Sequence, residues 1–203
     1  MGETGRQLVH LFGLVFILLS MAVDRLLISS YFFMVASFFL LYSYFVRRQR
    51  NILMRVVDRL ESGLRGFANS FEREAAAVPY AGAFWFYFSC GLTLLIFPLH
   101  VALVSCSILA VADCASTVIG TRYGTQKTIG NKTLEGSVAF FVSAFVVAFM
   151  FINFWAALLA AFTSTVAELL PDAGPLGSLR RREFVNDNFT VPLITALLLV
   201  FIL

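Results

Sequence analysis

Long apolar runs separated by short polar breaks organise this chain. The runs fall at 8–23, 26–46, 78–97, 99–113, 137–152, 154–170 and 188–203. A helix needs about 20 residues to cross a hydrocarbon layer of about 30 Å, so these runs predict an all-α, polytopic membrane domain of about seven transmembrane helices covering 1–203. The breaks are Asp24-Arg25, the long polar stretch 47–74, Pro98-Leu99-His100, the loop 114–136, Asn153 and the loop 171–187. Ser20-Met21-Ala22 weakly imitates a signal-peptide cleavage site, but Arg6 beside Glu3 is a poor basic leader and the next run is itself long enough to span, so 8–23 is read as a retained helix.

Composition agrees with the pattern. Hydrophobic residues make up 60% of the chain and charged residues 13%, against roughly 45–50% and about 25% in soluble domains. That excludes a soluble globular domain, a disordered chain and a nucleic-acid binder. Cys90, Cys106 and Cys114 lack CxxC spacing and read as small packing residues. If every run crosses once, fourteen of the fifteen bases share one side with the N-terminus, and Arg25 stands alone on the other. The positive-inside rule then makes the N-terminus and the loops 47–74, 114–136 and 171–187 cytoplasmic. A re-entrant hairpin over 137–170 would leave the last two loops on the same face. Within 47–74, apolar positions from Ile52 to Phe67 recur at helical spacing opposite a basic face, which fits an amphipathic helix lying on membrane lipids or an ordinary connector held by its charge.

Two of the twelve acids sit at ends of apolar runs, Asp113 and Glu168. A carboxylate at membrane depth costs about 2.5–3.5 kcal/mol on insertion scales, which makes each a functional candidate, with a plain helix-end charge as the alternative. Asp113 opens the stretch DCASTVIGTRYGTQKTIGNKTLEGS, which holds Gly120, Gly124, Gly130 and Gly136 and both lysines of the chain, Lys127 and Lys132. Glycine-freed backbone, a compact ammonium and a carboxylate able to hold a divalent cation are what polyphosphate binding asks for, though such a loop also serves as a mere connector. Gly124 to Thr133 only superficially resembles a Walker A loop: its spacing is wrong, and a membrane helix precedes it where that loop needs a buried strand.

The run from Asp113 through Gly120, Gly124 and Lys127 to Lys132-Thr133-Leu134-Glu135-Gly136-Ser137 resembles the stretch shared by CTP-dependent lipid-alcohol kinases (dolichol or polyprenol, phytol and CTP-dependent diacylglycerol kinases) and phosphatidate cytidylyltransferases. Glu3-x2-Arg6-x3-His10-x2-Gly13 is similar to the start of the kinase branch, with Gln7 where a lysine is usual. Glu168 followed by Asp187-Asn188-Phe189-Thr190-Val191-Pro192 resembles that branch's ending. The cytidylyltransferase signature His-Gly-Gly is missing, since His10 and His100 are the only histidines. The resemblance therefore implies a kinase that moves a phosphoryl group from CTP to the hydroxyl of a membrane lipid alcohol, with a CDP-lipid-forming cytidylyltransferase as the alternative.

That resemblance also implies roles. Asp113 and Asp187 are expected to hold Mg²⁺, and Lys127 and Lys132 to lie along the phosphates with Thr133 and the Gly136 backbone. Asp187, Glu168 or Glu135 would accept the hydroxyl proton. Arg6 and His10, one helical turn apart, are expected near the phosphates or headgroup, or else as an interfacial anchor pair. Asn188 and Pro192 are expected to shape the last helix, with Asn188 a further candidate for nucleotide contact. The triplet Arg180–Arg182 reads as a topology anchor. Glu135 leans towards the dolichol or polyprenol kinases within this isoprenoid-dominated group.

Overall fold

The computed structural model describes residues 2–48, 81–130, 132–173 and 186–203, in which seven α-helices and one 3₁₀ turn account for most of the chain. The helices are α1 (Gly2–Leu19), α2 (Arg25–Arg48), α3 (Ala81–Ile96), α4 (Leu99–Tyr123), α5 (Leu134–Phe149), α6 (Phe154–Leu169) and α7 (Asp187–Ile202), with the 3₁₀ turn at Leu170–Asp172. Each apolar run of the sequence corresponds to one helix. Among the described residues there is no strand, only an isolated bridge between Lys127 and Thr133. The expected interfacial helix beyond Arg48 and the triplet Arg180–Arg182 lie outside the described residues.

Three segments, Arg25–Ser43, Leu99–Tyr123 and Phe154–Asp172, are long and apolar enough to cross a membrane. With the composition, they make this a membrane protein. The surface agrees: Val138, Val142, Val146 and Phe149 form an outward stripe on α5, and Leu159, Phe162 and Val166 one on α6, all exposed. Exposed aliphatic stripes at helical spacing suit lipid and not water.

At the centre is α4. Every residue from Val101 to Ala110 is buried, because α1, α3, α5 and α7 pack around it. Its Ser, Ala and Cys residues let neighbours approach closely. Ser105 stays satisfied by donating to the Val101 carbonyl at 2.8 Å, within its own helix. On the far side of α3, Ser29 of α2 donates to the Gly91 carbonyl at 2.9 Å.

The polar breaks have local causes. Asn153 caps α6, its side chain accepting from the Ala156 amide at 3.0 Å, so α5 and α6 are separate helices joined by a tight turn. Arg25 donates to the Phe97 carbonyl at 3.2 Å, tying the start of α2 to the end of α3. The break expected at 114–136 is shorter than read: α4 runs ten residues past Asp113 to Tyr123, and only 124–133 joins it to α5. The reason is packing. A Cβ on Gly120 would stand 3.5 Å from the Gly136 Cα, and one on Gly136 would stand 3.1 Å from the Ser116 carbonyl oxygen. Two of the glycines read as room for a ligand are thus the seam along which the last turns of α4 meet the first turn of α5.

Candidate active site

Lys132 collects the site. Its ammonium pairs with Glu168 at the end of α6, and with Asp187 at the start of α7 at 3.0 Å. The loop after α4, the end of α6 and the start of α7 therefore converge on one point. Glu168 is 2% exposed, and its Oε2 has no hydrogen-bond partner among the described residues. Asp113 is also buried and close enough for its charge to act on both Lys132 and Glu168. Burial works against the Lys132 ammonium, but Asp187 and then Glu168 outweigh it and hold its pKa above the ordinary 10.5.

The last helix is built to present Asp187. Asn186 caps it by accepting from the Asn188 amide at 3.0 Å, and an acid in the first turn suits the positive end of the helix. Pro192 has no N–H, so the Asn188 carbonyl loses its helical partner. Ser89 of α3 takes that carbonyl at 2.6 Å, while the Asn188 side-chain amide donates to the Gly82 carbonyl at 3.1 Å. Thr190 donates to the Ala167 carbonyl of α6 at 2.9 Å. The Asp187-to-Pro192 motif is thus a docking device: Asn188 and Pro192 pin α7 to α3, Thr190 pins it to α6, and Asp187 is left facing Lys132. The Asn188 amide nitrogen is engaged by α3, while its Oδ1 has no hydrogen-bond partner among the described residues.

On the other side, α1 brings in His10. Its ring is fully buried, stacks on Phe86 with centroids 4.3 Å apart, and sets Nδ1 3.1 Å from Asp113 Oδ2. Phe86 fits there because residue 13 is glycine; a Cβ would come within 2.3 Å of the Phe86 ring. The His10-x2-Gly13 spacing therefore makes one notch on one helix face. The Arg6 side chain lies outside the described residues.

The connection 124–133 is a short hairpin. Leu134 N donates to the Gln126 carbonyl at 2.8 Å and Thr128 N to the Lys132 carbonyl at 2.9 Å. Gly130 sits at its tip with φ +64°, where a Cβ would also strike Asp172 of the 3₁₀ turn at 2.9 Å. Glu135 accepts from the Thr125 amide at 2.9 Å, from the Thr125 hydroxyl and from the Gln126 amide. Those bonds, the Thr125 hydroxyl first, lower its pKa from 4.5 to about 2. Thr133 caps α5, its hydroxyl oxygen accepting from the Gly136 amide at 3.2 Å.

The geometry thus divides the expected site residues. His10, Asp113, Lys132, Glu168 and Asp187 come together. Lys127 is exposed on the hairpin, its backbone bridged to Thr133. Glu135, Thr133 and Gly136 hold the hairpin and the helix seam. Sequence reading missed Ser89, Phe86 and Thr125; the proline four residues after Asn188 signalled a free carbonyl, but nothing pointed to Ser89 as its donor. Among the described residues, no three His, Cys, Asp or Glu side chains converge as a metal-ligating group.

Comparison with known proteins adds relatives named as kinases. An uncharacterised protein of Rickettsia prowazekii (strain Madrid E) is 24% identical over 194 residues, 94% of this chain and 90% of that one. The dolichol kinase of Saccharomyces cerevisiae is 34% identical over 85 residues, 41% of this chain and 16% of the kinase. A probable chloroplastic phytol kinase 2 of Glycine max is 29% identical over 114 residues, 48% of this chain and 36% of the kinase. The chain spans well under half the length of either kinase. These partial relatives support a lipid-kinase relationship. No family model and no solved structure matches the chain.

Proposed function

We propose that this chain is a multi-pass lipid-alcohol kinase that transfers the γ-phosphoryl group of CTP to the hydroxyl of an isoprenoid alcohol or diacylglycerol at the cytoplasmic face. The observation that carries it is the buried cluster in which one ammonium, Lys132, meets Glu168 and Asp187 beside Asp113. Phosphoryl transfer asks a protein mainly for positioning and charge neutralisation, and a cation held at helix ends by two carboxylates is placed for that. The choice of CTP comes from the sequence resemblance. The side follows from fourteen of fifteen bases sharing a face.

Among the described residues, Asp113, Glu168 and Asp187 set three carboxylates around Lys132. The buried, unpartnered Glu168 Oε2 is a further acceptor. Hard carboxylate oxygens fit Mg²⁺, which is commonly bound through one or two carboxylates plus substrate phosphates. Asp113 and Asp187 would hold it, and it would neutralise charge on the transferred phosphoryl group. Lys132 would trade a carboxylate for phosphate oxygens. Of the three expected bases, Glu168 suits the proton best. Asp187 is engaged at both oxygens, by Lys132 and by the Asn188 amide, and Glu135 is held by the hairpin. The lipid oxygen attacks the γ-phosphorus and its proton passes to Glu168. The bond from the γ-phosphorus to the β-γ bridging oxygen breaks, giving lipid phosphate and CDP. A lipid alcohol carries its hydroxyl at headgroup depth with its tail in hydrocarbon, so a site at helix ends meets both substrates.

The test uses CTP labelled at either the γ- or the α-phosphate, with purified protein and a panel of lipid alcohols. Label entering lipid from the γ position is the expected result. Entry from the α position would establish the cytidylyltransferase instead, and no transfer from either would sink both. Substituting ATP checks the base preference.

A further inference from the structure

We infer that His10 is a positioning residue: it holds the Asp113 carboxylate in the orientation that receives a divalent cation, and does not itself touch nucleotide or lipid. This rests on the proposed role of Asp113. His10 is 0% exposed and Asp113 6%, so the ring lies deeper than the carboxylate. Nδ1 stands 3.1 Å from Asp113 Oδ2 without the alignment of a full hydrogen bond, and Nε2 has no partner among the described residues. Contacts of this kind often tighten only once a ligand draws the carboxylate into line.

A buried imidazole with unsatisfied nitrogens is costly, and the fold goes to some length to keep this one in place. Phe86 covers one face of the ring at an interplanar angle of 13°, and Gly13 leaves the space for Phe86. The backbone around His10 is fixed from both sides: Tyr87 of α3 donates to the Val9 carbonyl at 3.4 Å, and Cys114 of α4 approaches the Gln7 carbonyl at 3.7 Å. The ring therefore has little freedom to turn away from Asp113. Ligating carboxylates are themselves held by outer-shell hydrogen bonds, and losing such a partner typically costs about 10–100-fold in metal affinity or activity.

The experiment titrates Mn²⁺ into the full chain in lipid nanodiscs, with a non-hydrolysable CTP analogue, read by electron paramagnetic resonance. His10→Phe keeps the stack on Phe86 and removes the nitrogens; His10→Asn restores an amide near the Nδ1 position. The expected result is an affinity about 10–100-fold weaker for His10→Phe, substantial recovery in His10→Asn, and unchanged helix content by circular dichroism. Wild-type affinity in His10→Phe overturns the inference, and so does equal weakening in both variants, which marks a merely structural ring. Asp113→Asn separates the two levels: if it binds Mn²⁺ as tightly as the wild type, the role of Asp113 fails first and the inference falls with it.

Discussion

Lys132 and Glu135 stand three residues apart in one short motif, and their surroundings are opposite. Lys132 turns inward to Glu168 and Asp187, where burial makes each charge depend on its partners. Glu135 turns back over the hairpin to Thr125 and Gln126, close to water, and gathers backbone amides. Thr133 and Gly136 belong to neither: they close the α4–α5 seam. One motif thus contains chemistry, architecture and packing in adjacent positions, and the identity of a residue does not say which of these it performs. Polar groups that converge from distant segments are the stronger sign of a site; those that bond within ten residues of themselves build the loop that carries it.

Substitutions can break this contrast, and the inward side should be the more sensitive. Lys132→Ala removes the cation that Glu168 and Asp187 share among the described residues, and should cut label transfer by roughly 10²–10³-fold. Breaking a buried pair also costs about 3–5 kcal/mol, visible as a lower denaturation midpoint in nanodiscs. Glu168→Gln keeps shape and removes the proposed proton acceptor, so turnover should fall about 10²-fold or more while nucleotide affinity holds; undiminished turnover would assign the proton elsewhere. Gly136→Ala puts a methyl 3.1 Å from the Ser116 carbonyl oxygen and should cost about 1–3 kcal/mol of stability, with a smaller effect on turnover. The least effect belongs to Glu135→Gln, which should speed hydrogen exchange at the Thr125 and Gln126 amides and leave most activity. Because the folded pKa of Glu135 is lowered to about 2 from an ordinary 4.5, its contribution is present in full above that ordinary value and is lost as pH falls through about 2. Amide protection in the hairpin should therefore stay constant from neutrality down to pH 5.

Much of the architecture was legible because lipid imposes a simple rule: apolar runs must become helices. Each run became one, and Asn153 and Pro98 marked real ends. The second half of α4 was not legible, since Cys114 to Tyr123 mixes small, β-branched and polar residues with Gly120, which in isolation reads as loop. Those small residues are there to receive α5, a reason that exists only in three dimensions. The site divides in the same way. Asp113 and Glu168 betray themselves by charge where charge is expensive, and Lys132 by its place in the glycine-spaced loop behind Asp113. The His10–Asp113 contact and the Ser89 hold on α7 join segments about a hundred residues apart in sequence, and no local pattern encodes them. Lys127 and Lys132 looked alike as the two lysines of one loop, yet the hairpin sends one outward and the other in.

The proposed transfer of the γ-phosphoryl group of CTP to a lipid hydroxyl centres on the Lys132 cluster. It is tested most directly by following γ-labelled CTP into extractable lipid phosphate with the wild type and Lys132→Met side by side. Label should enter the lipid fraction with the wild type and be almost absent with the variant, both proteins being equally membrane-inserted. Equal transfer by the two proteins, or none by the wild type across isoprenoid alcohols and diacylglycerol, would contradict it.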